Sequence, residues 1–461
     1  MSWSARLSRH ERGLVAGMLV LGFFVRLAWL FLRPTERLIP AKSEMWHVAA
    51  TFAASGRFAD AYAPGSGLSS HVGPFNTAVE GLVYRAFGIG SLPAEVVLAV
   101  IAAVTACTLF WLLYRVAGEL GIGLVPRLAA LALLVFVPFN FWVEMVDFRI
   151  REGAFAAAIA TALLWWLLRL DAAGGRQGLN AAGRRQGLNA TPTTFDRRSQ
   201  LCFALAAGFA FLINPGVALG AYAGLGCVAL RHLPPRRWLP LAGVLALGFV
   251  MVNGAWIARN ATVYHRLMIS RGNFGLELDI AYADSVVAPT DARAAWHARM
   301  ADIHPFFSPT ALARLKTFPD DASYFAALGH EATGWIAAHP AAAARLTLRH
   351  LRELYFPPPW LFDPYESGMR GIGLKLTFLW TLTALGLAGL LLGLRQRPRQ
   401  YLFVALTLAF PTALYSLVQP TLRYRYAFAG LLTFFAAAFV WRLAELVLSS
   451  PRKRGPMTSD I

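Results

Sequence analysis

Three short stretches concentrate polar side chains at the ends of long apolar runs. The stretch AKSEMWHVAATFAASGRFADAYAPG, residues 41–65, follows the first apolar run and puts the carboxylate of Glu44 where a membrane span should end. VEMVDFRIRE, 143–152, carries Glu144, Asp147, Arg149, Arg151 and Glu152, and TLRYRYAF, 421–428, carries Arg423 and Arg425 between tyrosines. A carboxylate at the water-facing end of a span can take a proton from a hydroxyl. Guanidinium groups at that depth present planar forks to a phosphate, so Arg423, Arg425, Arg149 and Arg151 are candidates for holding one. Glu152 and Asp147 could hold a divalent cation, magnesium or manganese, beside them. Charged residues at span ends also serve as interface anchors, and that reading stands beside the chemical one for each of these residues.

Other polar residues sit in the connecting segments. His47 lies one helical turn after Glu44, and His71 lies in a Gly/Ser-rich loop, APGSGLSSHVGP at 63–74. RGNFGLELD, 271–279, places Asn273, Gly275 and Glu277 in a tight turn near the membrane surface. His47, His71, Asn273 and Glu277 are expected to line a substrate pocket. His304 and His330 are isolated in the sequence and read as packing or surface residues. Arg26, inside the first apolar run, reads as structural, pairing with an acid on a neighbouring helix or snorkelling outward.

These side chains need a scaffold, and composition says which kind. Of 461 residues, 57% are hydrophobic and 15% charged, more apolar surface than a soluble domain of this size can hide. The net charge of +18 does not point to nucleic acid, because the arginines cluster in short segments between apolar runs. Cys107, Cys202 and Cys227 fall inside apolar runs and read as small packing residues. Candidate spans are 14–32, 94–116, 127–142, 153–170, 200–213, 216–230, 238–257, 371–394, 401–418 and 426–448, with Asn214-Pro215 as a tight outer turn. An amino terminus on the cytoplasmic side puts every arginine cluster in the cytoplasm: 6–12, 115–127, 176–198, 231–237, 395–399 and 452–454. Both termini are then cytoplasmic, and the first apolar run reads as a retained span. RQGLNA occurs at 176–181 and again at 185–190 in a linker with no catalytic role.

The fold class is therefore an all-α polytopic membrane protein of about ten transmembrane helices. Two short interfacial helices, about 45–55 and 75–87, form a shelf in the first outer loop, 33–93. Residues 329–360 read as two amphipathic helices broken at His339-Pro340. Three regions follow: a membrane module with the first outer loop, 1–258; an extracytoplasmic helical segment, 259–370; and the last spans with a basic tail, 371–461.

Several motifs in this order resemble the GT-C superfamily of membrane glycosyltransferases. The similarity is nearest to bacterial relatives of the protein O-mannosyltransferases and of the lipid A aminoarabinose transferase, which are family 39-like. The carrying motifs are Glu44, GRF at 56–58, PGSGLSSHVGPF at 64–75, VYRAFG at 83–88, RE at 151–152, INPGVAL at 213–219, WIARN at 256–260, ISRGNFGLEL at 269–278, WIAAHP at 335–340 and LRYRYAF at 422–428. They are scattered over most of the chain, and each alone is weak.

The resemblance implies transfer of a sugar from a polyprenyl phosphate to a lipid, glycan or protein acceptor at the outer face of a bacterial inner membrane. It implies that Glu44 is the general base; the preceding position, an acid in many relatives, is Ser43 here. The leaving phosphate would need fixed positive charge, and attack opposite the phosphate would invert the sugar carbon. The alternatives are a transporter or flippase of lipid-linked sugars and a non-catalytic polyprenyl-lipid-binding relative. Transporters usually keep polar groups near the mid-plane, whereas here they collect at the outer ends of the spans.

Overall fold

The computed structural model describes residues 3–39, 42–149, 151–183, 196–362 and 371–449. The second RQGLNA copy, Arg184, Arg185 and the basic tail at 452–454 lie outside them. Regular structure among the described residues is helical, apart from one isolated bridge between Ala59 and Leu68.

Each of the ten apolar runs forms a helix: Trp3–Phe31, Leu92–Glu119, Leu124–Phe136, Gly153–Gly183, Arg197–Ile213, Pro215–His232, Trp238–Tyr264, Ile372–Gln396, Pro398–Ser416 and Tyr426–Ser449. Six are long and apolar enough to cross a membrane: Arg9–Phe31, Leu92–Glu119, Gly153–Gly174, Pro235–Tyr264, Ile372–Gln396 and Leu422–Leu448. Local chemistry limits the other four. The helix expected over 127–142 ends at Phe136, where Pro138 follows, and a π-helical turn, Val143–Asp147, carries the chain on. Asn214 ends one helix and starts the next: its Oδ1 accepts the Val217 N–H at 3.3 Å, and Pro215 opens the following turn. Pro411 lies inside Pro398–Ser416.

The helices share one apolar core. At one end, Glu11 accepts from Tyr114 at 2.8 Å and pairs with Arg127 at 3.4 Å, and Arg397 donates to the Leu120 carbonyl at 3.0 Å. The opposite end carries the 33–93 loop and the segment after Tyr264.

In that loop, Glu44–Ser55 and Pro74–Phe87 form a packed helix pair. Ser43 caps the first of them, its Oγ accepting the Trp46 N–H at 3.3 Å. Gly56 stops it with φ +73°, a left-handed conformation that suits glycine.

The segment beyond Tyr264 folds into short helices, including Phe274–Ala281, Ala292–Ile303, Asp321–Ala338 and Pro340–Tyr355, the last two divided at His339 as expected. It docks on the loop through its own apolar cluster. Met45, Val48, Tyr62 and Val72 from the loop meet Leu276, Ile303, Phe325 and Leu328 from the segment. At Gly275 the approach is closest: a Cβ there would lie 2.0 Å from the Phe325 carbonyl oxygen, so no larger residue fits without backbone movement.

Candidate active site

A pocket lies where the first outer loop, the 148–153 turn, the 271–277 turn and the start of the last helix converge. Its lining includes Glu44, His71, Arg151, Glu152, Asn273, Glu277 and Arg423, all singled out from the sequence, together with Asn214, Arg271, Tyr415 and Tyr424. Its volume is about 70 Å³. Small-molecule sites usually offer roughly 300–1,000 Å³, so a ligand of ordinary size must displace side chains on entering.

Glu44 is the first residue of its helix and is 8% exposed. A carboxylate there faces unpaired backbone N–H groups at the positive end of the helix dipole. Across from it, 260 residues further on, stands His304, with Nε2 at 3.4 Å from Glu44 Oε1. The Phe306 N–H donates to His304 Nδ1 at 3.2 Å. Neutral imidazole carries one proton, so with Nδ1 accepting, the proton is on Nε2 and points at Glu44. His71 completes a triangle. Its Nδ1 lies 3.0 Å from the Tyr62 hydroxyl, and its ring centroid is 5.7 Å from that of His304. Burial alone would raise the Glu44 carboxyl; His304, His71 and Arg151 outweigh it and hold the carboxyl at about 2. Burial depresses both imidazoles, His71 to about 3, despite the Glu44 charge. At neutral pH the cluster is thus a carboxylate between two neutral histidines.

The other wall is ionic. Arg151 pairs with Asp147 at 3.0 Å and Arg271 with Glu152 at 3.0 Å. Burial works against ionising Glu152, but Arg271 overcomes it and lowers the carboxyl below its usual range. Asn273 donates to Glu277 at 3.3 Å. The Arg423 guanidinium lies 5.3 Å from the centroid of Tyr424, whose ring stacks on Tyr415 at 4.3 Å; Asn214 donates to the Tyr415 hydroxyl at 2.7 Å.

Four expected residues stand elsewhere. Arg149 points away and pairs with Glu95 at 3.3 Å, both side chains 1% exposed. Arg425 points between the helices, onto Thr383 and the Leu379 carbonyl. His47 sits behind Glu44, its Nδ1 at 3.2 Å from the Ala61 carbonyl oxygen. Asp147 supports Arg151 from outside the lining. Glu152 and Asp147 each pair with a guanidinium through one oxygen, Glu152 Oε1 with Arg271 and Asp147 Oδ1 with Arg151. The donor atoms that do converge belong to Glu44, His71 and His304, all within 4.8 Å of one another. His304, expected to be a packing or surface residue, therefore stands with Glu44 and His71 in the candidate site. No local pattern in its sequence neighbourhood signals this.

Asp321 holds the loop that carries His71. It accepts from Ser69 Oγ at 3.0 Å, the Ser70 N–H at 2.8 Å and Ser70 Oγ at 2.8 Å. Burial raises its carboxyl to about 6 against these hydrogen bonds. The folded value exceeds the unfolded one, so this contribution is full below pH about 4 and is lost as pH rises through about 6. The expected loss is about 2–3 kcal/mol. A melting series from pH 4 to 7.5 should show the decline in the wild type and a flatter profile in Asp321→Asn.

No family model and no curated protein matches the chain. Among solved structures it is similar to the oligosaccharyltransferase AglB of Archaeoglobus fulgidus in complex with an inhibitory peptide and a dolichol-phosphate. The TM-score is 0.43 and the identity 14%, over 98% of this chain and 53% of that one. It is also similar to ArnT of Cupriavidus metallidurans bound to undecaprenyl phosphate, with TM-score 0.33 and 14% identity over 93% of this chain and 78% of that one. A further structure of the archaeal enzyme contains zinc and sulfate, with TM-score 0.40 and 15% identity over 93% and 49%. The chain spans about half the length of the archaeal enzyme. TM-scores below 0.5 at such identity assign neither fold nor activity.

Proposed function

We propose that the chain is a multi-pass membrane glycosyltransferase that moves a sugar from a polyprenyl phosphate to an acceptor hydroxyl. The observation that carries this reading is the pocket itself. It brings one buried carboxylate, Glu44, to the same small space as three guanidinium groups, Arg151, Arg271 and Arg423. That is the pairing of a proton-handling group with phosphate-binding groups that sugar transfer from a lipid phosphate requires. The pocket lies at the end opposite the arginine-rich turns, which by the positive-inside bias is the outer face. On this reading all ten helices cross a bacterial inner membrane, the shorter ones within a locally thin bundle. Residues 1–258 and 371–461 form the membrane part, and the 259–370 segment covers the site.

In the reaction the acceptor oxygen bonds to the anomeric carbon as the bond from that carbon to the phosphate oxygen breaks. Polyprenyl phosphate leaves, and a single displacement inverts the carbon. A carboxylate is a weak base toward a ground-state alcohol. It is strong enough for a hydroxyl whose oxygen is already bonding to carbon, because that proton becomes strongly acidic. Glu44 therefore orients the hydroxyl, stabilises positive charge on the oxocarbenium-like sugar and takes the proton late. Arg271, Arg151 and Arg423 receive the charge of the departing phosphate.

Glu44, His71 and His304 also fit a divalent cation, with two imidazoles and a carboxylate that favour a transition metal over magnesium. The Tyr62 hydroxyl on His71 Nδ1 is a suitable outer partner. For His304 to ligate through Nε2, its proton must move to Nδ1, at the loss of one hydrogen bond, worth about 1 kcal/mol. Such an ion would supply positive charge next to the phosphate. The lining acids Glu44, Glu152 and Glu277 otherwise balance Arg151, Arg271 and Arg423.

The test is donor consumption by the purified full-length protein in nanodiscs, supplied with a panel of radiolabelled undecaprenyl-phosphate sugars and a membrane-extract acceptor. Acceptor-dependent release of undecaprenyl phosphate is expected. Arg271→Gln should raise the donor KM about 10- to 100-fold with a smaller change in kcat. Movement of intact donor across a vesicle membrane without bond cleavage would favour a flippase instead.

A further inference from the structure

Three arginines are buried among the described residues: Arg26, Arg149 and Arg425. Two are neutralised within the chain, Arg26 by Glu144 at 2.8 Å and Arg149 by Glu95 at 3.3 Å. Arg425 is 3% exposed, and no carboxylate among the described residues lies within ion-pair distance. Its contacts are neutral, to the Leu379 carbonyl at 3.3 Å and to the Thr383 hydroxyl, and its Nε has no partner. A guanidinium kept inside a helical bundle without a counter-charge is unfavourable. Among the described residues nothing supplies that charge.

The space in front of Arg425 indicates what supplies it. A cavity of about 30 Å³ lies between the Leu124–Phe136, Ile372–Gln396 and Tyr426–Ser449 helices. Asn140 and Thr433 add polar atoms to its lining; the rest is apolar, including Val137, Phe139 and Phe378. Phe139 and Phe378 stack at 4.3 Å. No residue is shared with the pocket around Glu44. Leu379 lies seven residues into its helix, about 10 Å along the axis at 1.5 Å per residue. The slot therefore lies in the half of that helix nearer the proposed outer face, below its end. Its volume takes one water-sized group, such as a single anionic oxygen, while the rest of a headgroup stays at the mouth and a hydrocarbon chain lies along the phenylalanines.

We propose that Arg425 and this slot form a second anion site that binds the phosphate of a bilayer phospholipid, separate from the pocket around Glu44. The site neutralises a buried charge and fixes a lipid against the last helix, whatever reaction the other pocket performs.

The experiment uses the full-length protein, purified in detergent and stripped of lipid. Its melting temperature is followed on adding phosphatidylglycerol, a phosphate-free galactosyl diacylglycerol, or inorganic phosphate, with native mass spectrometry to count retained lipids. Phosphatidylglycerol should raise the wild-type melting temperature by several degrees and leave one lipid bound. The galactolipid and inorganic phosphate should do neither. Arg425→Met should abolish both effects. Ala429→Leu, which fills the slot and keeps the charge, should abolish them too and serves if Arg425→Met does not fold. Equal lipid retention and equal shifts in wild type and Ala429→Leu would overturn the proposal. So would a full shift with inorganic phosphate, which would make the slot a solvent-anion site, or with the galactolipid, which would remove the phosphate from the recognition.

Discussion

Glu44→Gln is expected to lower sugar transfer at least about a thousandfold while the protein folds normally and still binds its donor. The substitution keeps the side-chain shape. The Gln oxygen can still accept from His304 Nε2, and the Ser43 cap is untouched. What disappears is the negative charge. The attacking hydroxyl loses its acceptor, and the sugar loses the carboxylate that meets its developing positive charge. The effect should therefore fall on kcat, with the donor KM changed less than about threefold. The measurement is steady-state transfer with whichever labelled donor the wild type consumes, alongside a melting curve. Transfer by the variant at near wild-type rate would remove Glu44 from the chemistry. A matching loss of thermal stability would mean that the fold, not the reaction, had been damaged.

Glu144→Leu should destabilise the folded protein by about 3–5 kcal/mol, the usual cost of stranding one partner of a buried ion pair. Arg26 is fully buried and lies between the rings of Phe110 and Phe141, its guanidinium carbon 4.8 and 4.6 Å from their centroids. It donates to Glu144 at 2.8 Å and to the carbonyls of Gly22, Val135 and Leu134. Tyr426 donates to the other Glu144 oxygen at 3.0 Å. One carboxylate thus ties the first helix, the 143–147 turn and the last helix together. Removing it leaves a cation with no place to go. Arg26→Met combined with Glu144→Leu should recover most of the loss, because two apolar groups of similar volume replace the pair. The comparison is of melting midpoints in nanodiscs. A double variant no better than Glu144→Leu would show that the pair contributes through packing and not through charge.

The helices were legible because hydropathy and arginine placement are independent signals that agree. Their ends were less so: Pro138 shortens the third helix in a way that its apolar composition hides. The site was legible where a residue opens or closes an apolar run, as Glu44, Glu152 and Arg423 do. It was misleading within the two paired-arginine motifs. In FRIR and in LRYR the guanidinium groups are two residues apart, and in turn or helical backbone such neighbours point to different sides. One of each pair, Arg151 or Arg423, reaches the pocket; Arg149 and Arg425 turn inward. His304 was invisible for a different reason. Its partner is 260 positions away, and docking of two apolar surfaces brings them together, a fact no local spacing encodes.

The docking has a practical corollary. Met45 and Val48 of the Glu44–Ser55 helix are packed into the cluster of the outer segment, while Ala49 and Ala53 of the same helix pack with Tyr84 and Leu98. One helix is shared between two neighbouring pieces of architecture, and its first residue carries the key acid. Chimeras that borrow 265–362 from a homologue would import a foreign imidazole and a foreign seat for that helix. On the proposed function, acceptor preference should therefore resist loop exchange and should change only when both contacting faces are redesigned in concert.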